Sequence, residues 1–164
     1  MTEAEVLDAT RNWIATTTGI LWIDSYQGGP EPAEPYGVIN LTMSDAVHEH
    51  PSDYEFPVTD EGTEDETIRQ APVREWFWRF SLNVYGDGGK TLLRQIKTAQ
   101  QVPTALEGLH PLTLFETSQI RDATELLNEE WQARAQCDIE IRGIVRDGLV
   151  IDVIEETSFT AERV

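Results

Sequence analysis

Histidine and acidic residues that stand close together are the first candidates for chemistry in this chain, because they are common ligands of protein-bound metals. His48, Glu49 and His50 form such a group. An i, i+2 pair of histidines points to one side only in an extended strand, and no further His or Cys lies nearby to complete a site. The acidic run from Asp60 to Glu66 does not follow the spacing of a calcium-binding loop. We therefore interpret both segments as surface loops.

A glycine-rich segment, GDGGKT at residues 86–91, invites comparison with the phosphate-binding loop of nucleotide-binding proteins. The spacing of that loop requires a glycine where Val84 stands. A glycine-rich turn from a strand into a helix, capped by Asp87, explains the segment without a nucleotide. We therefore predict a strand-to-helix turn at this position.

The possible nucleophiles of the chain have no partners at a recognisable spacing. Cys137 is the single cysteine, and its place on an apolar strand face predicts a small buried hydrophobic residue that forms no internal disulfide. The serines lack the G-x-S-x-G elbow of serine hydrolases, and paired carboxylates discriminate nothing in so acidic a chain. We therefore predict a protein that is not an enzyme, with no catalytic residue, no cofactor and no metal site.

The net charge limits the partners of the protein. The chain has 30 acidic and 12 basic residues, which gives a formal charge of −18. A surface that holds nucleic acid or an anionic membrane needs Lys and Arg, so this charge argues against both. It is compatible with a solubilised surface, with a wall that DNA passes without sticking, or with an acidic mimic of DNA that inhibits a DNA-binding protein.

Two segments alternate between apolar and polar residues, which is the period of a strand with one buried face. From Trp131 to Val145, apolar or small residues occupy every odd position. From Trp76 to Val84, the even positions are Trp, Trp, Phe, Leu and Val. We predict two strong strands, and we expect the aromatic face of the earlier one to form the centre of the core.

The turn after the later strand determines the register of the strand beyond it. A three-residue loop at residues 146–148 keeps one apolar face, because it pairs Val145 with Leu149 and Ile141 with Val153. We therefore predict a long C-terminal β-hairpin. Its first strand exceeds the usual strand length, so we expect it to bend or to project past the domain body.

Two amphipathic helices are also predicted. Thr2 and the glutamate three residues later form a capping-box pattern, and apolar residues then recur at helical spacing up to Gly19. A helix is therefore expected at residues 3–18. A second helix is expected at residues 89–101, with Asp87 as its cap.

The remaining segments are interpreted as connections and short strands of a single domain that spans residues 1–164. Residues 47–70 form a polar acidic insertion, with a hairpin near residues 54–58 and a solvated acidic part. Asp122 and Glu125 favour a helical turn within residues 121–128. Short strands are expected at residues 20–26, at residues 36–44 with Ile39, Leu41 and Met43 on one face, and at residues 112–118.

The order of these elements predicts the fold class. A helix, three strands, a second helix and three further strands are typical of an α+β fold. We expect a mainly antiparallel twisted sheet with two helices packed on one face and the long C-terminal hairpin. The N-terminus has no secretory signal and no apolar run reaches 18 residues, so we expect a soluble protein made in a cytoplasm.

Several segments together carry a family resemblance. They are PYGVINL at 35–41, RFSLNVYG at 79–86, RDATELL at 121–127, EWQARAQCDIEI at 130–141 and DGLVIDVI at 147–154. With the N-terminal helix that ends near Gly19, they resemble the neck or tail terminator proteins of long-tailed bacteriophages and related prophage particles. The resemblance covers most of the chain and leaves out the insertion.

The resemblance implies a structural virion protein that forms a ring, usually of six copies, at the head-proximal end of the tail tube. Such a ring stops tube growth and joins the tail to the head connector, while DNA passes through its lumen. The implied partners are further copies of the chain, the tail-tube protein and the head-tail connector protein, with no membrane. Arg121, Glu130 and Arg134 are carried over as residues of the subunit or tube interface, or of the hairpin base. An acidic DNA mimic remains the alternative function.

Overall fold

A computed structural model describes residues 1–26, 28–127 and 130–151. The described residues form three α-helices: α1 (Glu3–Thr18), α2 (Gly89–Ala99) and α3 (Pro103–Leu106), which a 3-10 turn at Glu107–Leu109 follows. The described strands are β1 (Leu21–Asp24), β2 (Tyr36–Ala46), β3 (Asp53–Glu55), β4 (Val58–Thr59), β5 (Thr67–Tyr85), β6 (Thr113–Thr117), β7 (Arg121–Asp122), β8 (Glu125–Leu127), β9 (Glu130–Gln132), β10 (Arg134–Arg146) and β11 (Leu149–Val150). The fold is α+β, as predicted.

The main sheet is mixed but mostly antiparallel, with the strand order β1, β2, β5, β10, β6. β1 and β2 are parallel, whereas β2 with β5, β5 with β10 and β10 with β6 form antiparallel pairs. The two strong strands of the sequence, β5 and β10, lie side by side at the centre. Phe80 stands opposite Ile139 in their register, so both apolar faces point to the same side.

The core lies against this apolar side of β5 and β10. Trp78 and Phe80 are almost fully buried, which confirms the predicted aromatic centre, while Trp76 is only half-buried. The helices contribute buried side chains to the same cluster, including Val6, Trp13 and Ile14 of α1 and Leu93 and Ile96 of α2.

The ends of α1 are those that the sequence predicts. The Thr2 hydroxyl accepts a hydrogen bond from the Glu5 N–H, and the Glu5 carboxylate accepts one from the Thr2 N–H. Gly19 ends the helix with a left-handed φ of 70°, and its N–H donates to the Ala15 carbonyl. Within residues 1–26, 28–127 and 130–151, no helix combines the length and the apolar character that a membrane span requires.

The start of α2 differs from the prediction. Gly88 occupies the N-cap position with a left-handed φ of 81°, and no side chain of the described residues caps the helix. The predicted cap by Asp87 is wrong, because Asp87 lies one residue too early.

The predicted turn at residues 146–148 is also wrong. Leu149 pairs with Gln70 of β5 and not with Val145 of β10. β10 and β11 share one register along β5, so the chain runs straight on past Arg146. The physical reason is that β5 spans 19 residues and its first part offers backbone partners to residues 149 and 150. The predicted pair of Ile141 with Val153 lies outside the described residues.

A β-bulge changes the predicted face of β2. The register shifts between Leu41 and Met43, so Leu41 stands opposite Phe80 while Met43 stands opposite Arg79. Met43 therefore lies on the polar face of the sheet and is half-exposed, in contrast to Ile39 in the core.

The predicted helical turn after residue 121 is replaced by the short strands β7 and β8. The Asp122 carboxylate accepts hydrogen bonds from the N–H and the hydroxyl of Thr124, at 3.1 and 2.6 Å. This local contact makes a turn between two strands, whereas the sequence pattern resembled a helix cap.

Candidate subunit interface

The sheet extends past its helical layer as a three-stranded arm. We define the arm as residues 53–59, 67–73 and 146–151, in which β3, β4 and β11 pair with the first part of β5. Residues 53–59 and 67–73 form a hairpin, so the predicted hairpin region at residues 54–58 supplies only its first strand. The acidic residues 60–66 form the exposed connection, as predicted.

One face of the arm carries an apolar groove of about 770 Å³. Pro72 and Trp76 line it and lie on the same side of β5 as Trp78, because residues two apart on a strand share a face. Leu149 and Tyr54 also line it and are 79% and 48% exposed. None of its lining residues belongs to a helix. The groove therefore continues the core face of the sheet beyond the part that the helices cover.

Two sheet edges of the arm have no partner strand among the described residues. β6 pairs with β10 only between Ile139 and Arg142, and β7 pairs with it only at Ala135 and Gln136. No described strand pairs with the outer edge of residues 143–150 or with that of residues 53–59. Unpaired edges offer backbone donors and acceptors to another chain. The arm thus presents two kinds of unsatisfied surface, an edge and an apolar groove.

A second projection is the small hairpin of β8 and β9, in which Leu126 stands opposite Trp131. The Trp131 side chain is 74% exposed. The sequence placed Trp131 on the buried face of the long strand, and this is wrong because the chain leaves the β-ladder at Ala133, between β9 and β10. The Ala133 carbonyl instead accepts a hydrogen bond from the Gly86 N–H.

Arg134 connects this hairpin to the main sheet. Its Nη1 donates to Glu125 Oε1 at 2.9 Å, and its Nε and Nη2 donate to Asn83 Oδ1 at 3.1 and 2.9 Å. The guanidinium also lies over the Tyr85 ring, 5.5 Å from its centroid. These contacts are all within one subunit, so Arg134 holds the base of the β8–β9 hairpin.

A second set of contacts supports the same hairpin. Gln132 Nε2 and the Tyr36 hydroxyl both donate to Glu31 Oε1, at 2.9 and 2.6 Å. The Tyr36 ring stacks on the Tyr85 ring with centroids 5.0 Å apart. Burial, followed by the hydrogen bond to Glu31, raises the pKa of Tyr36 above its ordinary value, so this hydroxyl remains a donor.

The other two predicted interface residues lie near Arg134. Arg121 stands opposite Gln136 on β10, two residues from Arg134, and its Nη2 donates to Asp138 Oδ2 at 2.9 Å. Glu130 takes part in β9 through its backbone, opposite Leu127. The structure thus brings Arg121 and Arg134 to one region of the polar face, with Glu130 in the adjoining hairpin.

The same polar face holds an ionic cluster that the sequence reasoning missed. Glu140 is buried and accepts hydrogen bonds from Arg79 Nη2 at 2.8 Å and Arg142 Nε at 2.9 Å. Burial opposes its ionisation, but these two bonds outweigh burial and lower the pKa of Glu140. The alternation along β10 predicted the polar face, but nothing in it indicated Arg79, which is distant in the sequence.

The structure also shows where the candidates for chemistry lie, namely the glycine-rich segment, the cysteine and the possible metal ligands. Residues 86–88 form the turn from β5 into α2, as predicted, and residues 89–91 begin the helix. Lys90 Nζ forms an ion pair with Asp122 at 2.7 Å. Cys137 is buried, as predicted, and burial raises the pKa of its thiol to about 12. No group of three or more His, Cys, Asp or Glu side chains that could hold a metal occurs in the described part of the chain.

The comparisons with known proteins identify a family. A family model described as phage neck terminator protein matches residues 4–163. The match spans residues 47–70, which the resemblance from the sequence had left out. A search of curated proteins found no matching relative.

Proposed function

The chain belongs to the phage neck terminator family, and on this premise we propose that it forms a ring at the head-proximal end of the phage tail tube. Membership makes the protein a structural component of the phage neck, and thus of the virion. In the proposed role, the ring contains six copies, stops tube growth and joins the tail to the head connector. It has no catalytic function, it assembles in the host cytoplasm, and DNA passes through its lumen.

The three-stranded arm is the observation that carries this proposal. A ring of identical subunits uses head-to-tail contacts, in which one surface of a subunit meets a different surface of the next. Such contacts need surfaces that an isolated subunit leaves unsatisfied. The open edges of residues 53–59 and 143–150 and the groove beside Leu149 have this character.

The charge of the chain supports the passage of DNA. A formal charge of −18 gives the ring a strongly negative field, and phosphate groups are repelled by it. A negative lumen lets DNA slide through without a stable complex. Specific DNA binding is therefore not part of the proposed function.

The β8–β9 hairpin is proposed as part of the contact with a neighbouring subunit or with the tube. Its exposed Trp131 supplies apolar surface, and large aromatic residues contribute strongly to protein interfaces. Arg134 positions the hairpin from within the subunit. Arg121 and Glu130 lie beside or within the same projection, so we assign all three predicted residues to this region.

An assay of tube growth tests the proposal. Tail-tube protein from the same particle is polymerised with and without the purified protein, and tube lengths are measured by negative-stain imaging. We expect shorter tubes with a ring at one end. The wild-type protein is compared with the variant Leu149→Lys. This variant changes an exposed side chain of the arm and is expected to reduce capping. Tubes of unchanged length, without end rings at any protein concentration, would contradict the proposal.

A further inference from the structure

α2 presents a cationic face in an otherwise acidic chain. Lys90, Arg94 and Lys97 follow one another at i, i+4 and i+7, so they lie along one side of the helix. All three are exposed, and the two lysines are the only ones in the sequence. We call these three residues the basic stripe.

The basic stripe is only partly neutralised within the subunit. Lys90 pairs with Asp122, and Lys97 Nζ donates to the Ser118 carbonyl at 2.9 Å. Arg94 forms no ion pair with any described residue, and it lines a shallow groove of about 350 Å³ beside Ala99 and Val102. This part of the helical face is thus open to carboxylates from another molecule.

The opposite charge is concentrated at the tip of the arm. Residues 60–66 contain five acidic residues and no basic one, and all seven residues are exposed. We call this segment the acidic turn. It joins the two hairpin strands of the arm, so the paired backbone of residues 53–59 and 67–73 carries it away from the helical layer.

The acidic turn and the basic stripe of one subunit are too far apart to meet. α2 begins beside Val84, and the side chain of Gln100 after its last turn donates to Phe115 in β6. The neighbouring residue of β6, Leu114, is level with Trp78 through the register of the sheet. From Trp78 to the start of β5 at Thr67 the strand continues for about 35 Å, at about 3.3 Å per residue.

We propose that the basic stripe of one copy receives the acidic turn of the neighbouring copy. The two surfaces differ, lie at opposite ends of β5 and have opposite charge, which are the requirements of a head-to-tail contact that closes a ring. The arm reaches past its own helical layer and carries the turn to the neighbour. A second copy fits the stripe better than DNA does, because the acidic turn brings its carboxylates to the stripe at a protruding tip, whereas DNA would bring phosphates close to the whole surface of a chain with a net charge of −18. This inference rests on the proposed ring.

A charge-swap experiment tests the contact. One variant, Arg94→Glu with Lys97→Glu, reverses the charge of the stripe, and another, Glu61→Lys with Glu64→Lys and Asp65→Lys, reverses the charge of the turn. We expect each variant alone to lose at least tenfold in ring assembly, measured by light scattering and negative stain. An equimolar mixture should regain rings, because each reversed surface then meets its complement. Wild-type rings should also weaken as salt is raised.

Matched controls separate the possible outcomes. Asp45→Lys with Glu49→Lys and Glu107→Lys adds the same charge as the turn variant at other exposed positions and should leave rings unchanged. Circular dichroism checks the fold, and Arg94→Ala with Lys97→Ala replaces the stripe variant if that variant unfolds. If wild-type rings form and both variants assemble equally well alone, the inference fails while the proposed function stands. If wild-type protein neither forms rings nor caps tubes, both fail.

The same proteins also test whether the basic stripe binds DNA instead of a second copy. Binding of a fluorescent DNA duplex is measured by anisotropy at low salt. Duplex binding that the stripe variant abolishes, together with unchanged ring assembly, would overturn the inference and assign the stripe to DNA. If neither the wild-type protein nor the stripe variant binds the duplex, and the equimolar mixture of the two variants regains rings, the contact between copies is supported.

Discussion

Arg134 donates two hydrogen bonds to the side-chain oxygen of Asn83, from Nε at 3.1 Å and from Nη2 at 2.9 Å. Its remaining terminal nitrogen, Nη1, pairs with Glu125 in the β8–β9 hairpin. The planar guanidinium therefore fixes the hairpin relative to the central strands β5 and β10. The exposed Trp131 is carried by an element that side-chain contacts orient, and not by a free loop.

Replacing Arg134 by lysine tests this positioning role. Lysine keeps the charge but cannot supply the fork of donors, so we expect the free energy of unfolding to fall by about 1–2 kcal/mol. We also expect weaker capping of tubes. Urea unfolding and the tube-length assay measure the two effects.

For the stability measurement, Arg121→Lys is the control, since Arg121 is exposed and its single ion pair contributes little to stability. An Arg134→Lys protein that caps tubes as well as wild type would refute the role of Arg134 in assembly.

The protein should lose stability in acid, because the ionised carboxylate of Glu140 stabilises the fold. Its pKa in the folded state lies below the ordinary 4.5, so its ionised form stabilises the fold above pH 4.5. This contribution disappears as the pH falls below 4.5 and through the folded-state pKa. Glu140→Gln should lower the free energy of unfolding at pH 7 by about 1–3 kcal/mol, because Arg79 and Arg142 lose a charged acceptor. The variant should also show a shallower decline in acid.

Urea unfolding at a series of pH values measures this decline, with Glu64→Gln at an exposed position as the control. Equal slopes below pH 4.5 for wild type and Glu140→Gln would show that Glu140 does not govern the acid sensitivity.

Cys137 should be inert in the folded protein. Burial raises the pKa of its thiol to about 12, so the reactive thiolate is scarce at pH 8. A thiol reagent should modify it only as fast as the chain opens, and within the mixing time in denaturant. Rapid labelling of native protein, with a rate independent of added stabilising salt, would contradict its burial.

Gly37 should tolerate no side chain. A Cβ at this position would lie 2.4 Å from the Trp22 ring, and the buried indole has no room to move away. Gly37→Ala should therefore lower the free energy of unfolding by about 1–3 kcal/mol. Gly28→Ala, whose Cβ would meet no atom within 4 Å, is the matched control. Equal thermal stability of the two variants would contradict the close packing.

Local patterns predicted the parts of the fold that depend on local interactions. The capping box at Thr2 and the glycine at Gly19 give both ends of α1, because the bonds that they make lie within a few residues. The alternation in β5 and β10 gives the buried face, because each side chain's direction follows from its position in the strand. The core around Trp78 could therefore be predicted without a structure.

The parts that depend on distant partners could not be predicted in the same way. Asp147 and Gly148 carry a turn signal, but the first half of β5 offers Leu149 a backbone partner and the strand continues. Similarly, the neighbours of Arg134 in the sequence do not identify Asn83, which is 51 residues away. The candidate interface is made of such non-local pairs, so the sequence indicated its residues but not the arm.

The mass and shape of the purified protein show whether it forms a ring. Light scattering and negative-stain imaging should be carried out on the protein alone and with its tail-tube protein. We predict rings with a central hole, or rings that cap short tubes, and we predict that Leu149→Lys gives mainly monomers with an unchanged melting temperature. A persistent monomer that neither caps nor shortens tubes would contradict the account.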